Sequence, residues 1–377
     1  MSRKKILLLS VSAGAGHVRA AEAIKKHADG YDTVETLHLD VMNYVPKTFR
    51  KVYVDSYLKL VKDFPTLWGL LYKKIDVTPA TGPLQKLRRA VERLNTGKLL
   101  KAVNGFNPDA VVCTHFLPAE ILMHQIIKNK FDKPVWVQVT DFDVHQMWLI
   151  PKMQGYFVAN DEVAFRLQQK GISKEQIHII GIPIMPQFVV GQDRSTHCKT
   201  YGLSPDIQTL LLMGGGVGMG GLDEVAGQLL QQSDEFQLIV LAGKNNDALQ
   251  ALQKIAEDYP NRLFPQGFTD EVEQFMACAD LVITKSGGLT SSECLAMGLP
   301  MLINSPIPGQ EERNADYLLE QGCAMKAADE LGLMYRTKLL MSDPQRLEIM
   351  RKNAKRIARP LAGRALLEIV LEYLQDT

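Results

Sequence analysis

Two successive series of short apolar runs, each separated from the next by a helix-patterned stretch, constrain this chain more than any other feature. The first series is Lys5–Ser10, Thr33–Leu39, Pro108–His115, Pro134–Asp141 and Gly155–Ala159. These runs are continuous rather than alternating, the signature of strands covered on both faces, and helices between them imply a parallel sheet. Gly181-Ile182-Pro183-Ile184-Met185-Pro186 then reads as a linker, because its two prolines interrupt any regular element. The pattern restarts in Gln208–Met213, Phe236–Gly243, Leu263–Phe268, Ala279–Thr284 and Pro300–Ile303. A chain of 377 residues fits two domains of about 180 residues each better than one core. The expected fold class is α/β, two doubly wound domains facing a cleft at the carboxyl ends of their strands. The expected spans are 1–185 and 186–360, followed by an amphipathic helix from Leu361 to Leu374 within a terminal segment 361–377.

The bulk properties narrow the class. Hydrophobic residues make up 46% and charged residues 23%, with no apolar run of the roughly 18 residues a membrane span needs. The run Ile6–Val11 is too brief for a secretory leader and leads directly into a glycine loop, so a cytoplasmic location is expected. Cys113, Cys198, Cys278, Cys294 and Cys323 show no paired spacing, which favours reduced, mostly buried thiols over a disulfide framework or a zinc site. A net charge of +1 hides an asymmetry: the first hundred residues hold 18 Lys and Arg against 9 Asp and Glu, the remainder 25 against 33. Solvated lysine faces are common, but an anionic membrane surface is the sharper reading of the basic half. No nucleic-acid partner is expected, and the oligomeric state is left open. Between about residues 43 and 101 the strand pattern stops. Phe49, Val52, Tyr53 and Leu60 recur at helical spacing among cations, and Trp68, Leu70, Leu71 and Tyr72 follow with Lys73 and Lys74. Such an insertion suits a water–lipid boundary, against the plainer reading of a helical excursion packed on the sheet.

The richest local signal is Ile283-Thr284-Lys285-Ser286-Gly287-Gly288-Leu289-Thr290-Ser291-Ser292-Glu293, followed by Pro308-Gly309-Gln310-Glu311-Glu312-Arg313-Asn314. A β-branched strand runs into a Ser-Gly-Gly turn that opens a helix, so free backbone N–H groups and a positive helix end face an anion, with Lys285 beside them. Glu293 offers a carboxylate to a pair of ribose hydroxyls, and Gln310, Glu311 and Asn314 can read hydroxyl groups. A tight strand-to-helix connection would explain Ser-Gly-Gly alone; the combination points to a nucleotide sugar.

Two glycine loops follow strands. Gly14-Ala15-Gly16-His17 fails the dinucleotide fingerprint because Arg19 stands at the third glycine position. Gly216-Val217-Gly218-Met219-Gly220-Gly221 fits it, yet the next strand ends Leu241-Ala242-Gly243-Lys244 without an acidic residue for a cofactor ribose, so a diphosphate is the better occupant. His17, at the mouth of the first strand between flexible glycines and a helix, is the candidate general base. A neutral imidazole accepts a proton near neutral pH, although a lone histidine is usually structural. His115, Asp141, Asp143 and His145 match no standard metal spacing, and no metal is expected.

Taken together, the donor stretch resembles that of inverting GT-B glycosyltransferases of family 28. Ser12–Ala21, Thr114–Ala119 and Thr140–Trp148 look like the branch containing monogalactosyldiacylglycerol synthases and processive diacylglycerol glucosyltransferases more than like MurG. The resemblance covers nearly the full length and is weakest at the basic insertion. It implies a hexosyltransferase taking UDP-glucose or UDP-galactose as co-substrate with no other cofactor. Gly215, Gly216, Ser286 and Gly287 would cradle the phosphates, with Lys285 nearby. Phe268 would cover the uracil, Glu293 hold the ribose, and Gln310 with Glu311 contact the sugar. His17 would deprotonate the hydroxyl of diacylglycerol, with Gly14, Gly16, His115 and Asp141 on the acceptor side. The enzyme would sit peripherally on the inner face of the cell membrane, its terminal helix packing back on the first domain. The rivals are a transferase using a polyprenyl-linked acceptor, a nucleotide-sugar 2-epimerase, and a non-catalytic sugar-nucleotide sensor.

Overall fold

The computed structural model describes residues 3–51, 53, 64, 67–70, 96–214 and 221–376. Most of the basic insertion, and the expected phosphate residues Gly215 and Gly216, lie outside the described residues. Two compact units divide the chain: Met1–Pro186 with Ile307–Arg313 and Arg359–Thr377, and Gln187–Pro306 with Asn314–Ala358.

The first unit is built on a parallel six-stranded sheet. Its strands are β1 (Lys4–Ser10), β2 (Val34–Asp40), β3 (Ala110–Cys113), β4 (Val135–Gln138), β5 (Gly155–Val158) and β6 (Ile177–Ile179), in the order β2-β1-β3-β4-β5-β6. The continuous apolar runs are explained by double-sided burial. Leu7 and Leu9 of β1 join one core with Val111 and Val137, while Ile6 and Leu8 join the opposite one with Val112 and Trp136. That second core is completed by the helix Gly16–Ala28 through Ala21 and Ile24, and by the terminal helix Ala362–Asp376 through Leu366, Leu367 and Val370. Tyr373 sets its ring edge-on to Trp136 at 5.1 Å.

The second unit repeats the plan with β7 (Gln208–Met213), β8 (Phe236–Gly243), β9 (Leu263–Gly267), β10 (Leu281–Thr284), β11 (Met301–Asn304) and β12 (Ala324–Ala327), again all parallel. The order β12-β11-β10-β7-β8-β9 is that of a doubly wound nucleotide-binding sheet. In each sheet the winding reverses beside the first strand, between β1 and β3 and between β7 and β10. Connections leave such a point in opposite directions and open a crevice at the strands' carboxyl ends. Two strands escaped the sequence reading, β6 and β12. Both are short and only partly buried, and both sit at a sheet edge, so neither carries a continuous apolar run. No helix among the described residues is long and apolar enough to cross a membrane.

Candidate active site

Three neighbouring strands of the first sheet deliver the residues around His17. The chain leaves β1 through Gly14, whose φ of +105° is a conformation that residues with a Cβ rarely adopt. It then enters the helix at Gly16, around which there is open space. The helix start has no side-chain cap and no acidic residue in its first turn. His17 therefore stands on an uncapped helix end, beside the residues that follow β3 and β4.

Those residues fix its ring. His17 Nδ1 lies 2.9 Å from the Thr114 carbonyl oxygen and 2.9 Å from Thr140 Oγ1. A carbonyl can only accept, so Nδ1 carries the proton and the lone pair resides on Nε2. Thr114 Oγ1 donates in return to the His17 carbonyl at 2.8 Å. The ring is lined by His115, edge-on at 4.5 Å, and by Trp148 at 6.2 Å, with Phe116 and Tyr53 packed behind His115. His17 keeps a partly exposed surface, yet burial among these rings lowers its pKa from 6.5 to about 4, against the hydrogen bond to Thr114, which raises it. The imidazole is therefore neutral across the physiological range, with its basic nitrogen defined.

The other residues expected near the acceptor have identifiable structural duties. His115 is buried and caps the helix Phe116–Ile127, its Nδ1 accepting from the Leu117 N–H at 3.0 Å. Burial, and then His17 next to it, hold its pKa well below the usual value. His145 caps the short turn Gln146–Trp148 in the same way. Asp143 is bridged by Arg313 at 2.6 Å and Arg166 at 3.3 Å, while Asp141 follows Thr140 on the loop after β4, partly exposed. The same unit includes the turn before the helix Gln310–Glu320. There Glu311 accepts from the Ile307 N–H at 2.6 Å, Glu312 accepts from the Gly309 N–H at 3.1 Å, and Gln310 Oε1 accepts from Trp68 Nε1–H at 3.3 Å.

In the second unit, β10 ends in Lys285-Ser286-Gly287 at the point where the winding reverses, and the helix Gly288–Met297 begins there. Gly287 provides no side-chain cap and the first turn holds no acid, so the helix end keeps its positive character for an anion. Lys285 is half-buried and Ser286 fully buried. Asn314, also fully buried, donates from Nδ2 to the Ser286 carbonyl at 3.0 Å. That bond makes Asn314 a brace for the loop Lys285-Ser286-Gly287. Glu293 is buried on the same helix, as is Ser291, whose hydroxyl has no hydrogen-bond partner among the described residues. Phe268 follows β9, is 61% exposed, and has Lys244 Nζ 4.9 Å above its ring.

Within the first unit the structure thus gathers Gly14, Gly16, His17, His115 and Asp141 after adjacent strands. Within the second it gathers Lys285, Ser286, Gly287, Glu293 and Asn314, and Phe268 stands apart after β9. Sequence reasoning assigned no role to Thr114, Thr140 or Trp148, and read Trp68 as part of a lipid-facing insertion, whereas its indole N–H is turned to Gln310. The first two were legible in principle, since each lies within two residues of the end of a strand adjoining β1 or its neighbour; Trp68 had no such signal.

Comparison with known proteins is consistent with this arrangement. Residues 17–184 match the family model described as Monogalactosyldiacylglycerol (MGDG) synthase, and residues 209–364 match the Glycosyltransferase family 28 C-terminal domain. The chain's carboxyl-terminal half carries a glycosyltransferase family 28 domain. Its amino-terminal half carries the MGDG synthase domain. A processive diacylglycerol beta-glucosyltransferase of Bacillus pumilus is 28% identical over 380 residues, covering 98% of this chain and 95% of that protein. Its namesake in Bacillus subtilis is 26% identical, covering 98% and 96%. Among solved structures, Acinetobacter baumannii MurG aligns with a TM-score of 0.63 at 16% identity over 98% of this chain and 99% of that one. The S. aureus MnaA–UDP co-structure aligns at 0.66 and 14% identity, covering 99% and 97%. At these identities the two structures establish the GT-B fold and nothing finer.

Proposed function

We propose that this glycosyltransferase moves glucose or galactose from a UDP-sugar to the free hydroxyl of diacylglycerol, with inversion, giving a β-glycosyl diacylglycerol. The observation that carries the reading is His17, a neutral imidazole whose Nδ1–H is committed to Thr114 and whose Nε2 is left as the base. The acceptor oxygen attacks the anomeric carbon as Nε2 takes its proton. The bond from that carbon to the diphosphate oxygen breaks with its electron pair, and UDP departs on the opposite face. One such displacement turns an α-linked donor into a β-glycoside. The developing charge on UDP would be met by Lys285 and the uncapped helix end at Gly287 and Gly288, together with Gly215 and Gly216, so the reaction needs no cofactor beyond the co-substrate. Glu293 would hold the ribose, Phe268 the uracil, and Gln310 with Glu311 the sugar. The names of the Bacillus relatives support diacylglycerol as acceptor. The excess of cations in the first hundred residues supports work at an anionic membrane surface, on the inner face of the cell membrane.

The test is UDP release from UDP-glucose and from UDP-galactose, with and without diacylglycerol in anionic vesicles, for the wild type and His17→Ala. Lipid-dependent release that His17→Ala abolishes while UDP binding persists is the expected result. UDP binding without turnover on any lipid would remove the diacylglycerol assignment, and conversion of the sugar nucleotide without UDP release would indicate an epimerase.

A further inference from the structure

We infer that Trp68 is a positioning residue: it orients the side-chain amide of Gln310 and thereby sets which hydrogen-bonding groups Gln310 turns toward the transferred sugar. The inference rests on the donor reading above. Residues 67–70 form one helical turn, and Trp68 Nε1 lies 3.3 Å from Gln310 Oε1. An indole N–H donates and cannot accept, so only the oxygen end of the amide can face it, and the NH2 end is turned the other way. An amide flipped end for end fills the same space but exchanges donors for an acceptor. Glucose and galactose differ in the orientation of a single hydroxyl, so the direction of one amide is enough to favour one of them.

A second, independent contact puts the same turn against the base of Gln310. Gly69 is buried, and a Cβ built on it would come 3.0 Å from Pro308 Cβ, closer than nearly all real contacts of that kind. A side chain at this position would press on the turn from which Gln310 projects, which would have to give by a few tenths of an ångström. That turn is already fixed by Glu311 on Ile307, Glu312 on Gly309, and Arg313 on Asp143. What Trp68 adds is therefore the direction of the amide. Its neighbours Leu67 and Leu70 are 48% and 63% exposed, so the turn keeps its small and hydrogen-bonding residues inward and its leucines outward.

The experiment measures kcat and KM for UDP-glucose and UDP-galactose on diacylglycerol vesicles, with UDP dissociation constants, for the wild type, Trp68→Phe, Gln310→Ala and the double variant. Phenylalanine keeps the ring and removes the N–H. Trp68→Phe is expected to lower kcat/KM for the preferred sugar about five- to tenfold, the worth of one hydrogen bond, and to narrow the ratio between the sugars. UDP affinity should stay at the wild-type value, and Trp68→Phe should cost nothing further in the Gln310→Ala background. An unchanged sugar ratio, an additive loss in the double variant, or a loss of UDP binding in Trp68→Phe would each overturn the inference. A wild type that binds UDP but transfers neither sugar would remove the underlying reading and the inference with it.

Discussion

At the scale of single residues, the proposed chemistry turns on how His17 is held. Removing the imidazole in His17→Ala should lower kcat by about a hundred- to ten-thousandfold, the usual worth of a positioned base, with UDP affinity unchanged by calorimetry. Thr140→Val keeps the shape and deletes one partner of Nδ1. Turnover should fall about fivefold with KM for the donor unmoved, as expected for one lost orienting bond. The pH dependence follows from the lowered pKa. A neutral base with pKa about 4 stays active as pH falls through 6.5, so the acid limb of kcat/KM should centre near 4, and a limb near 6.5 would contradict the burial assigned to the ring. The sign for stability is separate. The unfolded imidazole protonates near 6.5 and the folded one near 4, so between those values the unfolded state binds more protons. This contribution is retained in full above about 6.5, falls as pH drops toward about 4, and levels off below, which denaturant titrations across that window would resolve.

At the scale of elements, strand ends decide which side chains meet. The motifs after β1, β3 and β4, and after β10, were legible because continuous apolar runs announce buried parallel strands and the residues just beyond them must lie at the carboxyl edge. The hydrogen-bond partners there were not legible. Asn314 reads in sequence as a group for hydroxyls, whereas in the fold it donates to the carbonyl of Ser286. Asn314→Ala should remove this buried hydrogen bond, at a cost of about 1–3 kcal/mol, seen as a lower melting temperature together with weaker UDP binding. A variant that melts like the wild type and binds UDP equally well would deny Asn314 the bracing role. The edge strands β6 and β12 were missed for a related reason: pairing with β5 and β11 recruits segments that carry little apolar pattern of their own.

At the scale of the whole molecule, the two ends of the chain share one core. Leu367 of the terminal helix is fully buried with Ile6 and Leu8 of β1, so Leu367→Ala should destabilise the first unit by about 2–5 kcal/mol. Calorimetric unfolding should then show an early transition that UDP, bound by the second unit in the proposed reading, fails to protect. The uneven charge also belongs to this scale. Binding to anionic vesicles should weaken steeply as salt is raised and vanish on neutral ones, measured by cosedimentation, because charge attraction at a membrane surface is screened within about 10 Å at 0.1 M salt. Continuous apolar runs, glycine turns and the Lys-Ser-Gly-Gly stretch were enough to specify two doubly wound sheets and the strand ends where chemistry would sit, because burial on both faces and helix-end geometry are local consequences of composition. The proton on His17, the brace on Ser286 and the direction of Gln310 were decided only by tertiary structure. Each depends on a donor or acceptor brought from 97, 28 or 242 residues away, and a hydrogen bond is set by where two atoms arrive in space, which no local pattern records.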